Sequence, residues 1–310
     1  MKLQSVDFGQ VIQGLDLGHL DDACRQWGFF ELVNHPISNA LCAEMLDMMG
    51  HFFSLPIEQK RTCERTQQNH WGFYDRELTK NVQDWKQLYD VGPEKGACIP
   101  QWPVDEPDFQ IATEAFYGAC ESTALALVGS IARALGESPE FLLHTFRDHS
   151  SYLRLNYYPL CNDPAPGDTP TGIHRGHLGI SHHSDAGAVT ILLQDGQPGL
   201  QVERDGRWHD ISACRGSILV NIGDVVQVWS NDRYQAPVHR VLASKHSVRY
   251  SAPFFLNPSF DASYAPVPGA LKGNAPRYRS IPWKEFREGR AQGDYADFGH
   301  EVQISDYAID

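Results

Sequence analysis

Three residues in this 310-residue chain have the types and spacing of a metal site. His183 and Asp185 stand two apart in His183-Ser184-Asp185. In an extended segment residues two apart share a face, so both side chains can converge on one ion. His182 then points the other way and is set aside despite its adjacency. A lone histidine in a sheet protein is more often a hydrogen-bonded structural residue, and the chain has 14 of them, so a third ligand is required. His239, in Pro237-Val238-His239-Arg240-Val241, supplies it from a distant strand. Two imidazoles and one carboxylate occupy one face of an octahedron and leave three positions open. That suits Fe(II) that must take up O₂ together with an organic co-substrate, and the same set could hold Zn(II) for hydrolysis. Arg249-Tyr250-Ser251 follows ten residues after His239. Its Arg and Ser share a strand face, where a forked permanent cation and a hydroxyl suit a carboxylate.

These side chains must be carried by strands. From Ser151 the hydrophobic period is two: Tyr152 to Tyr158 alternates and stops at Pro159. Further strands are expected at Val189–Gln194, Leu200–Arg204, Trp208–Ile211, Ser217–Ile222, Val225–Trp229, Val238–Ala243 and Val248–Leu256, with His183 opening the first strand after a long loop. Asp205-Gly206 is a tight-hairpin signal and Gly223-Asp224 marks a turn. Short strands with regularly spaced turns indicate a closed or double-sheet β architecture of jelly-roll type. Residues 1–150 read mainly as helix, with helical spacing over Leu20–Trp27, Asn39–Phe53 and about Phe109–Leu135, the last stopped by Gly136. The Pro- and Gly-rich stretch Asn162–Gly179 reads as a long loop, a kind that is often functional.

Composition narrows the class. Hydrophobic residues at 42% and charged residues at 21% are an ordinary globular balance. The formal charge of −13 is spread along the chain without blocks, which argues against a nucleic-acid partner, since phosphate binding needs clustered Lys and Arg. No apolar run approaches the ~20 residues of a membrane span, and the N-terminus lacks a secretory pattern, so a cytoplasmic protein is expected. The seven cysteines include no CxxC pair and are expected to be reduced, mostly buried thiols.

Read together, the motifs resemble the isopenicillin N synthase-like branch of the Fe(II)/2-oxoglutarate-dependent dioxygenases over nearly the whole chain. Ala23-Cys24-Arg25, Trp27 to His35, Phe52-Phe53-Ser54-Leu55-Pro56 and Asp84-Trp85-Lys86 look like that family's N-terminal signature. The core matches through Asn156-Tyr157-Tyr158-Pro159, His183-x-Asp185, Gly223-Asp224 with Ser230-Asn231, His239-Arg240-Val241 and Arg249-x-Ser251. Each motif alone is weak, and their order and spacing make the match specific.

The resemblance implies a mainly β fold with flanking helices around a distorted double-stranded β-helix (jelly-roll) core. It divides the chain into an N-terminal region 1–150, a jelly-roll core 151–260 and a tail 261–310. In that tail Trp283-Lys284-Glu285-Phe286 belongs to a closing helix over the barrel mouth. It assigns His183, Asp185 and His239 to iron, and Arg249 and Ser251 to the distal carboxylate of 2-oxoglutarate. Tyr158 donates a hydrogen bond to that carboxylate, and Asn156 lies near the co-substrate's other end. The implied reaction couples oxidative decarboxylation of 2-oxoglutarate by O₂ to hydroxylation, desaturation or cyclisation of a small-molecule metabolite. Phe73, Tyr74 and the long loop are candidates for the substrate pocket. Two rivals differ: an oxidase of the isopenicillin N synthase type, which uses Fe(II) and O₂ without 2-oxoglutarate, and a non-catalytic small-molecule binding protein.

Overall fold

The computed structural model describes residues 3–79, 82–171, 173, 175–212, 214–292 and 302–309. The strands stack into two sheets. In chain order they are β1 (Ser5–Asp7), β2 (Phe29–Val33), β3 (Gly72–Tyr74), β4 (Gln87–Val91), β5 (Tyr152–Tyr158), β6 (Leu178–His183), β7 (Val189–Gln194), β8 (Leu200–Arg204), β9 (Arg207–Asp210), β10 (Ile218–Ile222), β11 (His239–Leu242) and β12 (Arg249–Leu256). The larger sheet runs β1-β2-β10-β7-β12-β5-β4-β3, the smaller β9-β8-β11-β6. β5 and β6 bury roughly alternate residues, whereas the central strands β7 and β10 are buried on both faces. Their inner faces meet in an apolar cluster that joins Phe29, Tyr158, Leu192 and Leu219 to Leu200, Val202 and Val241.

The outer face of the larger sheet is covered by helices: α1 (Leu17–Gln26), α2 (Asn39–Ser54) and α3 (Pro107–Ala134). Central strand β7 is therefore buried on both faces along its whole length. α3 begins with Pro107 in its first turn, where a missing N–H costs nothing. It ends where Gly136 takes φ +90°. By length and hydropathy α3 could cross a membrane, although no continuous apolar run in the sequence approaches that length; interspersed Thr, Ser and Gly break the run without lowering its mean much. Here it is a core helix, with Phe109, Phe116, Leu127 and Ile131 buried against its neighbours.

The first 150 residues are less helical than their periodicity suggests, since they contribute β1 to β4, half of the larger sheet. Those strands are three to five residues long, too short for periodicity to separate them from helix. A second correction concerns Val225–Trp229, expected as a strand from its β-branched run. It lies in helix α4 (Asp224–Trp229). The loop after β6 decides the matter: carbonyls of Asp185, Gly187 and Ala188 accept from the N–H groups of Asp224, Val225 and Gly223, which occupies the free donors of a helix start. A Cβ on Gly223 would stand 2.3 Å from the Gly187 carbonyl oxygen and 2.7 Å from that of Asp185, so only glycine permits this approach. Helix α5 (Trp283–Gln292) then lies beside the open end of the two sheets, anchored by buried Trp283 and Phe286.

Candidate active site

His183 closes strand β6 rather than opening one, and its direct antiparallel partner on β11 is His239. Side chains opposite each other on one face of such a pair lie within contact distance, and the two imidazole centroids are 4.3 Å apart. Asp185 follows two residues beyond the end of β6. Its Oδ1 stands 3.7 Å from Nε2 of both histidines, and the ligand atoms of all three residues lie within 4.8 Å of one another. His182 is not part of this group.

The surroundings orient each donor. Nδ1 of His183 is 2.8 Å from the Ser181 carbonyl and Nδ1 of His239 is 3.0 Å from the Pro237 carbonyl. A carbonyl only accepts, so both Nδ1 atoms carry the proton and both Nε2 lone pairs face inward. Phe29 packs edge-on against the His239 ring. Asp185 Oδ2 accepts from Thr190 Oγ1 at 2.5 Å and Asn221 Nδ2 at 2.7 Å, which leaves Oδ1 toward the imidazoles. Burial, with the facing His239 second, pushes the His183 pKa down to about 3, so the ring stays a neutral ligand. Burial works to raise the Asp185 carboxyl. The facing His239 and His183, together with the hydrogen bonds from Thr190 and Asn221, outweigh it and hold the group below its ordinary value. Two neutral imidazole nitrogens and one carboxylate oxygen, converging in a buried pocket, fit a divalent metal such as Fe(II).

The cavity beside this cluster is lined by alternate residues of two paired strands: Tyr152, Arg154, Asn156 and Tyr158 from β5, and Arg249, Ser251, Pro253 and Phe255 from β12. Their register sets Arg249 opposite Tyr158 and Ser251 opposite Asn156 at one end, and Phe255 opposite Tyr152 at the other. At the first end Arg249 is 3% exposed. Its Nη2 donates to Gln194 Oε1 at 3.0 Å, while its Nε and Nη1 have no protein partner. Gln194 Nε2 and Asn156 Oδ1 are likewise buried and unpartnered. The Tyr158 hydroxyl is 3.5 Å from that of Ser251. A buried guanidinium with two idle donors costs several kcal/mol unless something accepts from them, and a carboxylate has the matching fork.

The other end holds features the sequence reading did not single out as site residues. Glu77, Lys86 and Arg154 line the cavity and belong to a buried network. Lys86 Nζ is 2.7 Å from Glu77 and 3.0 Å from Asp84. Arg154 bridges Glu77 and Asp90, and Arg65 joins the same two acids. From α5, Arg287 and Arg290 also line the cavity. Arg290 Nη2 donates at 2.8 Å to the carbonyl of Ser184, between His183 and Asp185. Phe73 and Tyr74, expected at the pocket, do not line it: Phe73 is buried beside Phe52, and Tyr74 lies under the guanidinium of Arg65. The described part of the long loop is elsewhere too. It is tied to the smaller sheet through Arg240, which donates to the carbonyls of Thr169 and Gly167.

Residues 149–258 match the model of the 2OG-Fe(II) oxygenase superfamily, and residues 15–109 match that of the non-haem dioxygenase in morphine synthesis N-terminal family. The chain is 31% identical to 2-oxoglutarate-dependent dioxygenase 11 of Oryza sativa subsp. japonica, over 86% of this chain and 73% of that protein. It is 34% identical to the proline hydroxylase buaE of Petromyces alliaceus, over 83% and 85%. Among solved structures, JOX2 in complex with 2OG, Fe and JA superposes with a TM-score of 0.82 at 26% identity, covering 99% of this chain and 88% of that one. A full-length Neurospora crassa protein solved in complex with alpha-KG and thymine, at 24% identity and a TM-score of 0.78 over 91% and 94% of the two chains, shares the fold. With a double-stranded β-helix around a His-Asp-His cluster and relatives of this kind, the chain belongs to the 2OG-Fe(II) oxygenase superfamily and is an Fe(II)- and 2-oxoglutarate-dependent dioxygenase acting on small molecules.

Proposed function

We propose that Nε2 of His183, Nε2 of His239 and Oδ1 of Asp185 hold the Fe(II). In the same reading Arg249, with Ser251 and Tyr158, binds the distal carboxylate of 2-oxoglutarate, and Asn156 faces the span between that clamp and the metal. The observation that carries this reading is the pair of idle donors on buried Arg249. Iron and 2-oxoglutarate, when bound, supply O₂ activation coupled to release of succinate and CO₂. The protein's own part is positional. Thr190 and Asn221 hold Asp185 with one oxygen presented, the Ser181 and Pro237 carbonyls fix both imidazole tautomers, and the buried β5–β12 end keeps water from the clamp. The Tyr152–Phe255 end leaves room for a small organic substrate, whose reacting bond must be held close to the metal.

Mixing Fe(II) and 2-oxoglutarate with the protein without oxygen should give a weak visible charge-transfer band that needs both. Admitting air should then release succinate slowly. An iron-loaded sample that gave neither would sink the reading. An oxidase that works without 2-oxoglutarate would oxidise its substrate with the 2-oxo acid omitted, and a plain binding protein would release no succinate. The relatives, a dioxygenase, a demethylase and a hydroxylase by name, favour neither. We also read the protein as cytoplasmic and without a nucleic-acid partner; its acidic balance and its free cysteines, five of the seven buried, support this.

A further inference from the structure

Charge divides the cavity in a way the iron and co-substrate do not explain. At the closed end the charges cancel once the proposed ligands are in place: the two positive charges of Fe(II) and the one on Arg249 balance Asp185 and a dicarboxylate. Near the open end the buried network is also self-neutral, since Arg65, Lys86 and Arg154 face Glu77, Asp84 and Asp90. Arg287 belongs to neither set. It projects from α5 into the cavity, half-buried, with its guanidinium 5.8 Å from the centre of the Tyr152 ring. Among the described residues it has no hydrogen-bond or ion-pair partner. The two acids of its own helix are engaged elsewhere, Glu285 with the Tyr307 hydroxyl and Glu288 with Lys284. Its charge is felt across the rim: burial, and then Arg287 and Arg65, depress the pKa of His70.

Its place relative to the metal is also set. Arg290, one turn further along α5, grips the Ser184 carbonyl between two of the metal-cluster residues. Arg287 therefore departs from the helix about 4.5 Å along its axis from Arg290, near Tyr152 and so at the opposite end of the cavity from Arg249. The cavity's lining there includes Tyr152 and Phe255, with Leu78 also in the wall, beside the self-neutral Glu77, Lys86 and Arg154.

We propose that Arg287 binds the carboxylate of the primary substrate, so that this oxygenase acts on small organic acids with an apolar or aromatic body. The proposal rests on the site reading above and adds the substrate class to it. Arg290, the other α5 cation in the lining, is occupied by the Ser184 carbonyl and Gln303, so the free guanidinium is that of Arg287, and its planar fork matches a carboxylate.

The test uses the Fe(II)-loaded full chain without oxygen and with saturating 2-oxoglutarate. Hexanoate, phenylacetate and trans-cinnamate are each titrated calorimetrically against their primary amides. The acids should bind at least tenfold more tightly than the amides. Arg287→Gln should erase that preference, Arg287→Lys should keep part of it, and Arg287→Glu should shift it toward hexylamine, a reversal that a merely structural role would not produce. Acids that bind no better than amides, or an acid preference that survives in Arg287→Gln, overturn the proposal. The affinity for 2-oxoglutarate, titrated into the same Fe(II)-loaded protein before the acids are tested, separates the two readings: its absence in the native protein defeats the co-substrate assignment, whereas its presence with no acid preference defeats only the role of Arg287.

Discussion

Thr190 and Gln194 stand four residues apart on one face of strand β7; Thr190 donates to Asp185 Oδ2 and Gln194 accepts from Arg249. One rigid strand thus sets the distance between the metal cluster and the carboxylate clamp. Four steps of an extended strand span about 13 Å. Because β7 is buried on both faces, packing against β10 and β12 holds this spacing.

The strand's role at the metal end can be isolated. Thr190→Val keeps the shape and removes the donor to Asp185. Fe(II) affinity should fall about 10–100-fold, as when outer partners of metal ligands are lost, while the fold stays intact. Equal titration curves for variant and native protein would show that Asn221 alone orients the carboxylate.

The ligands themselves separate by face. His183→Ala and His239→Ala should abolish stoichiometric Fe(II) binding, and His182→Ala should retain it, since His182 lies outside the cluster. Calorimetric titration of the three variants decides this, and iron bound equally by all three would refute the assignment.

At the clamp, Arg249→Lys keeps the charge and loses the fork. 2-Oxoglutarate should bind about tenfold more weakly, ~1.4 kcal/mol, with iron binding preserved. Tyr158→Phe should cost less, no more than about 1 kcal/mol, because its hydroxyl sits at 3.5 Å from Ser251 and is not the main donor. Unchanged affinity in Arg249→Lys would return the site to an oxidase whose own substrate carboxylate takes that position.

What could be read in the sequence was what is local or periodic. His183 and Asp185 declare themselves by spacing, and Arg249 and Ser251 by sharing a face. Thr190 and Gln194 carried a fainter signal: two polar residues of the same parity in the strand Val189–Gln194, whose other members are apolar. Asp84 and Lys86 stand in the Asp84-Trp85-Lys86 motif, but the pairing around Glu77 carried no signal, for Arg65 and Arg154 lie 12 and 77 residues from it and meet only in the fold. Arg287 is one charged residue on a polar helix, and only the tertiary placement of α5 turns it into the cavity. Val225–Trp229 departs from its β-branched pattern for a related reason, since its helix is imposed by carbonyls of the Asp185 loop.

The Glu77 network also makes acid stability predictable. Burial alone would raise the Glu77 pKa, but Arg154, Lys86 and Arg65 outweigh it and hold the carboxyl well below its ordinary value. In the unfolded chain the same group titrates near pH ~4.3. The unfolded state therefore takes up the proton first as the pH falls. The contribution of Glu77 is fully present above the unfolded pKa and is lost as pH drops toward the folded value. Glu77→Gln removes the charge and leaves three buried cations short of a partner, so at pH 7 the variant should be less stable by about 3–5 kcal/mol. Because the variant has no carboxylate there to protonate, the gap between the two proteins should narrow from pH 5 to pH 3. Urea midpoints measured at pH 7, 5 and 3.5 report it directly. A gap that stayed constant or widened toward acid would mean that Glu77 is not the ionised centre of the network, and that the three cations are held by Asp84 and Asp90 alone.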